Sequence, residues 1–216
     1  MKKFLSNLCF KLGKHFSKGH RLSDINRAIF FYTKAIKLGC DEARFYLLDH
    51  VLQPTGNLPK ATDCLDRNYF WFKKNPIAAL DLMVPLIKDG SLVQRTEARL
   101  TFAHVVLDLD LYRVNSELGE KAFEYAQEAY KNAAIIAESG HKQWTWRSDE
   151  DIVCRSLCTL GCYYAYGIGT CRDTAIAEEL FSRGIAAGSN TCKKSLDKLL
   201  SEKEEEHAKI LEIKTA

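Results

Sequence analysis

One spacing pattern occurs near the start of the chain and again near its end, and it limits the architecture before any single residue is interpreted. Gly13 is followed by Gly19, Ala28, Tyr32, Ala35, Gly39 and Ala43, in steps of 6, 9, 4, 3, 4 and 4. Gly161 is followed by Gly167, Ala177, Phe181, Gly184, Gly188 and Cys192, in steps of 6, 10, 4, 3, 4 and 4. Leu12 and Leu160 precede the first glycines. The one-residue difference falls where a loop belongs. A repeat of about 35 residues points to supersecondary units that stack on one another.

Each part of the pattern has a physical reading. Ala28, Tyr32 and Ala35 stand at i, i+4 and i+7, so they share one helical face, as do Ala177, Phe181 and Gly184. An aromatic between two small residues is a knob with clearance for a neighbouring helix. Gly13 and Gly161 lie inside the preceding helix, where glycine costs about 1 kcal/mol relative to alanine. Close helix approach is the expected return. Gly19 and Gly167 suit a left-handed position after that helix. Asp24 and Asp173 are expected N-caps of the second helix, and Gly39 and Gly188 its end. Such a helix pair cannot bury its apolar face alone.

The string Leu160-Gly161-x-x-Tyr164-x-x-Gly167-x-Gly169-x-x-x-Asp173-x-x-x-Ala177-x-x-x-Phe181 resembles the Sel1-like repeat, a relative of the tetratricopeptide repeat. The run from Leu12-Gly13-x-x-Phe16-x-x-Gly19 through Ala28, Tyr32, Ala35 and Gly39 is similar but lacks the second loop glycine. Between them the pattern is degenerate. Leu86, Met83 and Ala79 before Gly90, and Ile136, Ala133 and Ala129 before Gly140, keep the second-helix spacing. Their first helices, near 41–53 and 92–107, lack the Leu-Gly signature. The fold expected is all-α: a right-handed α-α superhelix, or solenoid, of about four helix-pair repeats in a single domain 1–216. The repeats are placed at about 1–40, 41–91, 92–141 and 149–189, and a capping helix at about 191–213, with first helices lining a concave side.

Length and composition agree with that reading. A chain of 216 residues can bury a core. A net charge of +3 does not by itself imply a nucleic-acid partner, and none is expected. No apolar run approaches the roughly 18 residues of a membrane span. The start Met1-Lys2-Lys3-Phe4-Leu5 begins like a signal peptide, yet the apolar stretch stops at Phe10 and Lys11 and Lys14 follow, without a small-residue cleavage site. The reading is a cytoplasmic protein.

The eight cysteines do not make a regular disulfide framework. Cys154, Cys158 and Cys162 stand four apart and form a stripe along one helix. With Cys171 or Cys192 they are compatible with zinc, but structural zinc sites favour short loop or knuckle spacings. Core packing is the preferred reading, since free cysteine behaves as a small hydrophobe. Cys9, Cys40 and Cys64 have no evident partner. No metal and no cofactor are assigned. The resemblance implies that some bacterial relatives are disulfide-stapled and linked to penicillin binding and hydrolysis; this chain does not reproduce their regular cysteine pairing.

Three segments are candidates for recognition. Residues 1–23 carry Lys2, Lys3, Lys11, Lys14, Lys18 and Arg21 and no acid, with Phe4, Leu5, Leu8, Leu12 and Phe16 as an apolar face. Because the Leu12-Gly13 signature is on the same helix, that face is assigned to packing on the second helix, and contact with a membrane surface is the lesser reading. The run Tyr69, Phe70, Trp71 and Phe72 sits in a long connection, as do Trp144, Trp146 and Arg147. Aromatics with arginine are the residue types of interface hot spots. Plugging gaps left by the degenerate repeats is the competing role, and for both segments the preferred one.

Enzyme signatures are poor. Ser195-Leu196-Asp197-Lys198 matches Ser-x-x-Lys without its companion motifs. There is no His-Glu-x-x-His and no phosphate-binding loop. Leu196, Leu199 and Leu200 are expected to cap the last repeat, with residues 201–209 projecting beyond it. The resulting expectation is a non-enzymatic adaptor or scaffold that binds a partner protein through the solenoid groove, its oligomeric state open. A bacterial immunity or inhibitor protein that neutralises a toxin is the alternative, and a β-lactamase-like cysteine-rich repeat enzyme the second.

Overall fold

The computed structural model describes residues 1–18, 22–44, 46–47, 76–139 and 152–215. Among them the regular structure is helical throughout, with no strand. The chain divides into two compact parts, Met1–Asp89 and Gly90–Ala216. The division falls where the second expected repeat gives way to the third.

The N-terminal part contains α1 (Lys2–Phe16), α2 (Leu22–Lys37) and α3 (Pro76–Asp89). Helices α1 and α2 form an antiparallel pair. Ser6 Oγ donates to Ala35 O at 3.4 Å near one end, and the Phe16 and Phe31 rings stack at 5.5 Å near the other. Between them Gly13 faces Tyr32, where a Cβ would stand 2.5 Å from the ring. The stripe Ala28, Tyr32 and Ala35 is buried as the spacing predicts, and so is Ala43. On α3, Met83 and Leu86 are buried. Asp24 is not an N-cap: α2 begins at Leu22, which places the carboxylate in the first turn, where the helix dipole favours an anion. Gly19 lies outside the described residues.

The C-terminal part contains α4 (Leu92–Asp108), a 3-10 turn (Leu111–Arg113), α5 (Ser116–Glu138), α6 (Ile152–Tyr166), α7 (Thr174–Ala186) and α8 (Asn190–Thr215). Ser91 and Gln94 make a capping box at the start of α4. Asn115 and Asp173 cap α5 and α7 through the N–H groups of Leu118 and Ile176. Asp173 is therefore the cap that its position predicts.

The two well-marked repeats close on themselves in the same way. A Cβ at Gly161 would lie 2.5 Å from the Phe181 ring, as one at Gly13 would from Tyr32. Gly39 and Gly188 have φ of +93° and +92°. Cys40 N–H donates to Ala35 O at 3.0 Å, and Ser189 N–H to Gly184 O at 2.9 Å, which ends each second helix in a Schellman-type turn. Gly167, at φ +64°, takes the left-handed position after α6.

The α4–α5 pair reaches the same packing with its volumes exchanged. Helix α5 buries Gly119, Ala122, Ala126, Ala129, Ala133 and Ile136, a nearly all-small stripe. Bulk comes instead from α4, where Leu100 and Val93 pack against Ala129, Ala133, Ile136 and Ile152. Asp110, at φ +51°, takes the left-handed turn that a glycine makes after α6. Gly169 serves this neighbour: a Cβ there would run into the backbone of Gly119.

Helix α8 buries Cys192 and Leu199 against the last repeat, with Leu200 exposed. The polar stretch after it does not stand free. Lys203 pairs with Glu178 at 2.5 Å, and Arg172 with Glu206 at 2.9 Å, so α8 is held alongside α6–α7 through Glu206.

A methyl group at Gly161 tests the packing. Gly161→Ala is expected to lose about 1–3 kcal/mol by overpacking, against a gain of about 1 kcal/mol in helix propensity. Urea unfolding should show a net loss, and the double variant Gly161→Ala/Phe181→Leu should recover most of it.

Candidate functional site

Helices α4 and α6, which open the helix pairs α4–α5 and α6–α7, run side by side in parallel. Arg155 meets Glu97, Thr159 meets His104, and the Tyr163 hydroxyl donates to Ala103 O at 2.9 Å. Polar residues repeat on both helices at one helical spacing: Glu97, Thr101, His104 and Asp108 on α4, and Arg155, Thr159, Cys162 and Tyr166 on α6. Each set steps by 4, 3 and 4, so each lies on a single face. Together they form a polar strip in which the contacts above join helix to helix.

The strip is graded along its length. At one end Glu97 is 0% and Arg155 7% exposed. Arg155 Nη1 donates to both carboxylate oxygens of Glu97, at 3.3 and 3.0 Å. In the middle the Thr159 hydroxyl donates to Arg155 O at 2.8 Å. The same hydroxyl oxygen lies 2.9 Å from His104 Nε2, so one threonine touches both its own helix and the neighbouring one. Thr159 thus bridges α4 and α6. At the other end Asp108 and Tyr166 are exposed. Lys198 from α8 stands 5.3 Å over the Tyr166 ring. The Tyr166 hydroxyl, through a hydrogen bond, holds the Lys198 ammonium above its usual range.

The cysteine stripe lies where α6 meets α8. Cys158 Sγ is 3.6 Å from Ser195 Oγ, Cys154 Sγ donates to Ala187 O, and Cys192 Sγ donates to Cys154 O. The Cys158 thiol donates to Cys162, which pushes Cys158 up to about 12, with burial acting the same way. Accepting that bond holds Cys162 below its ordinary value. Cys40 is raised, chiefly by burial. All seven described cysteines are free thiols, and no group of three or more His, Cys, Asp or Glu among the described residues is placed to hold a metal. Ser195 and Lys198 of the Ser-x-x-Lys string take up the packing and ring contacts just given.

The candidates Tyr69, Phe70, Trp71, Phe72, Trp144, Trp146 and Arg147 lie outside the described residues, as does Cys64. The expectation for the N-terminal helix holds for Phe16, which stacks on Phe31 of α2, and is corrected for the exposed part of its apolar face. Its inward face is made of Ser6, Cys9 and Gly13, while Phe4, Leu5 and Leu8 are exposed. Small residues won because Tyr32 fills the space that a larger side chain would need. The polar strip was missed. Polar residues at 97, 101, 104 and 108 are visible at helical spacing, but nothing local says that they face a second helix.

The helix pairs, their glycine–aromatic contacts and the alignment of first helices define an α-helical repeat protein. A family comparison gives the particular kind it is similar to: the Sel1 repeat model matches residues 6–40, 119–133 and 155–189. A comparison with curated proteins finds no match. Sel1 repeats are generally protein–protein interaction modules and typically non-catalytic. No described helix is long and apolar enough to cross a membrane.

Two outcomes follow from the site. Glu97→Gln or Arg155→Met breaks this buried ion pair from one side and is expected to lose about 3–5 kcal/mol, whereas Glu97→Met/Arg155→Met should recover most of it; guanidinium unfolding measures both. A maleimide reagent should modify exposed Cys171 first in the native protein, and Cys154, Cys158 and Cys192 only after denaturation, as read by peptide mass spectrometry.

Proposed function

We propose that the chain is a non-catalytic adaptor or scaffold that takes a segment of a partner protein along the α4–α6 strip. The observation that carries this reading is the strip's open end. There Asp108, the Tyr166 ring and the Lys198 ammonium offer an acid, an aromatic surface and a cation within one region. Such a mixture fits an interface rim around an aromatic anchor. The raised Cys158 thiol supports a packing role for that residue over a nucleophilic one. The aromatic run Tyr69–Phe72, with Trp144, Trp146 and Arg147, belongs to the proposal as further anchors. The free thiols support a cytoplasmic location.

The test begins with capture of the tagged protein from its native extract and identification of a stoichiometric partner. The purified partner is then titrated against wild type, Tyr166→Ala and Lys198→Glu. Both side chains are exposed enough that the fold should persist. Loss of at least about tenfold in affinity, or roughly 1.4 kcal/mol, is expected for each. An affinity unchanged in both but lost in Trp71→Ala/Phe72→Ala would remove the strip from the interface.

A further inference from the structure

The N-terminal helix presents a surface that no other described residues of its part cover. Met1, Phe4, Leu5 and Leu8 are 99%, 71%, 42% and 43% exposed. At positions i, i+3, i+4 and i+7 they form one apolar face. Lys2, Lys3, Lys11 and Lys18 are exposed on the same helix or just beyond it. Lys14 is engaged otherwise, with its ammonium 4.5 Å over the Tyr46 ring. No acidic residue occurs before Asp24.

Neither feature serves the pairing of α1 with α2. The pairing with α2 is made by Ser6, Cys9 and Gly13 on another face. Lys2 and Lys3 stand in the first turn, where the helix dipole disfavours cations, and no side chain caps the helix there. A helix that places bulky apolar groups in water and cations at its positive end has the chemistry of an interfacial helix.

We propose that α1 docks on an anionic membrane surface. Phe4, Leu5 and Leu8 enter the boundary between headgroups and acyl chains. Lys2, Lys3 and Lys11 meet lipid phosphates and carboxylates. The pairing face of α1 stays on α2, so docking needs no unfolding of the repeat. A second copy is a poorer occupant of the same face, because it would bring two sets of lysines together. Nucleic acid would answer the lysines and leave the apolar face in water.

The test is co-sedimentation of the full chain with vesicles of pure phosphatidylcholine, and of phosphatidylcholine with a third phosphatidylserine. Binding to the anionic vesicles should exceed binding to neutral ones by at least about tenfold and fall at high salt. Phe4→Ser/Leu8→Ser, and separately Lys2→Gln/Lys3→Gln/Lys11→Gln, should each lower it by about tenfold or more with thermal unfolding unchanged. A Phe4→Trp variant should show a blue-shifted emission on anionic vesicles only. No sedimentation of folded protein, equal binding to both vesicles, or an unaffected serine variant overturns the proposal. So does a reversible dimer in analytical ultracentrifugation that the serine variant abolishes, since the face would then belong to a second copy.

Discussion

The contact on which the marked repeats depend is a glycine in one helix lying under an aromatic ring of the next. Gly13 under Tyr32 and Gly161 under Phe181 bring two helices closer than any side chain would permit. The ring then fills the space left by the missing Cβ, so close approach does not leave a void. Everything around it is arranged to preserve that distance. Alanines or glycine flank the ring on its own helix, and a left-handed glycine ends that helix at once. Glycine in a helix interior is unfavourable by itself, at about 1 kcal/mol, and only the packed pair offsets the cost.

The α4–α5 pair shows that the requirement is complementary volume and not particular residues. Its second helix is lined with alanines and its first supplies Leu100 and Val93. The sum across the interface is kept while the signature disappears. A left-handed Asp110 replaces the turn glycine at some steric cost, since only small polar side chains tolerate that backbone region. The family match narrows here to residues 119–133, the part of α5 where the small stripe is densest.

Packing first helices in parallel has a second consequence, the polar strip. Glu97 and Arg155 are buried as a pair, and the hydroxyl of Thr159 links its own helix to His104. Buried pairs of this kind contribute little net stability but are costly to break singly. They therefore set the register of α4 against α6. Farther along, the same strip opens at Asp108 and Tyr166. The adjoining face of α6 carries Cys154 and Cys158, which with Cys192 of α8 behave as small core groups and join α8 to the repeat.

How much of this was legible differs residue by residue. Buried positions Ala28, Tyr32, Ala35, Ala177, Phe181, Gly184 and Cys192 follow from spacing alone, because helical periodicity is local and a repeat states it twice. The turn glycines 39, 167 and 188 follow as well, since a left-handed backbone is a property of one residue. The face of α1 was misread: Phe4, Leu5 and Leu8 look like a packing stripe, and only the seated Tyr32 ring shows that the partner surface wants Ser6, Cys9 and Gly13. The strip from Glu97 to Tyr166 was not legible, because it joins residues some 58 positions apart whose register depends on how two helices lie together. Local conformation and repeat identity were thus determined by the sequence itself. Which side chains meet, and which apolar face is left in water, was decided by tertiary packing, because both depend on volumes supplied by a different helix.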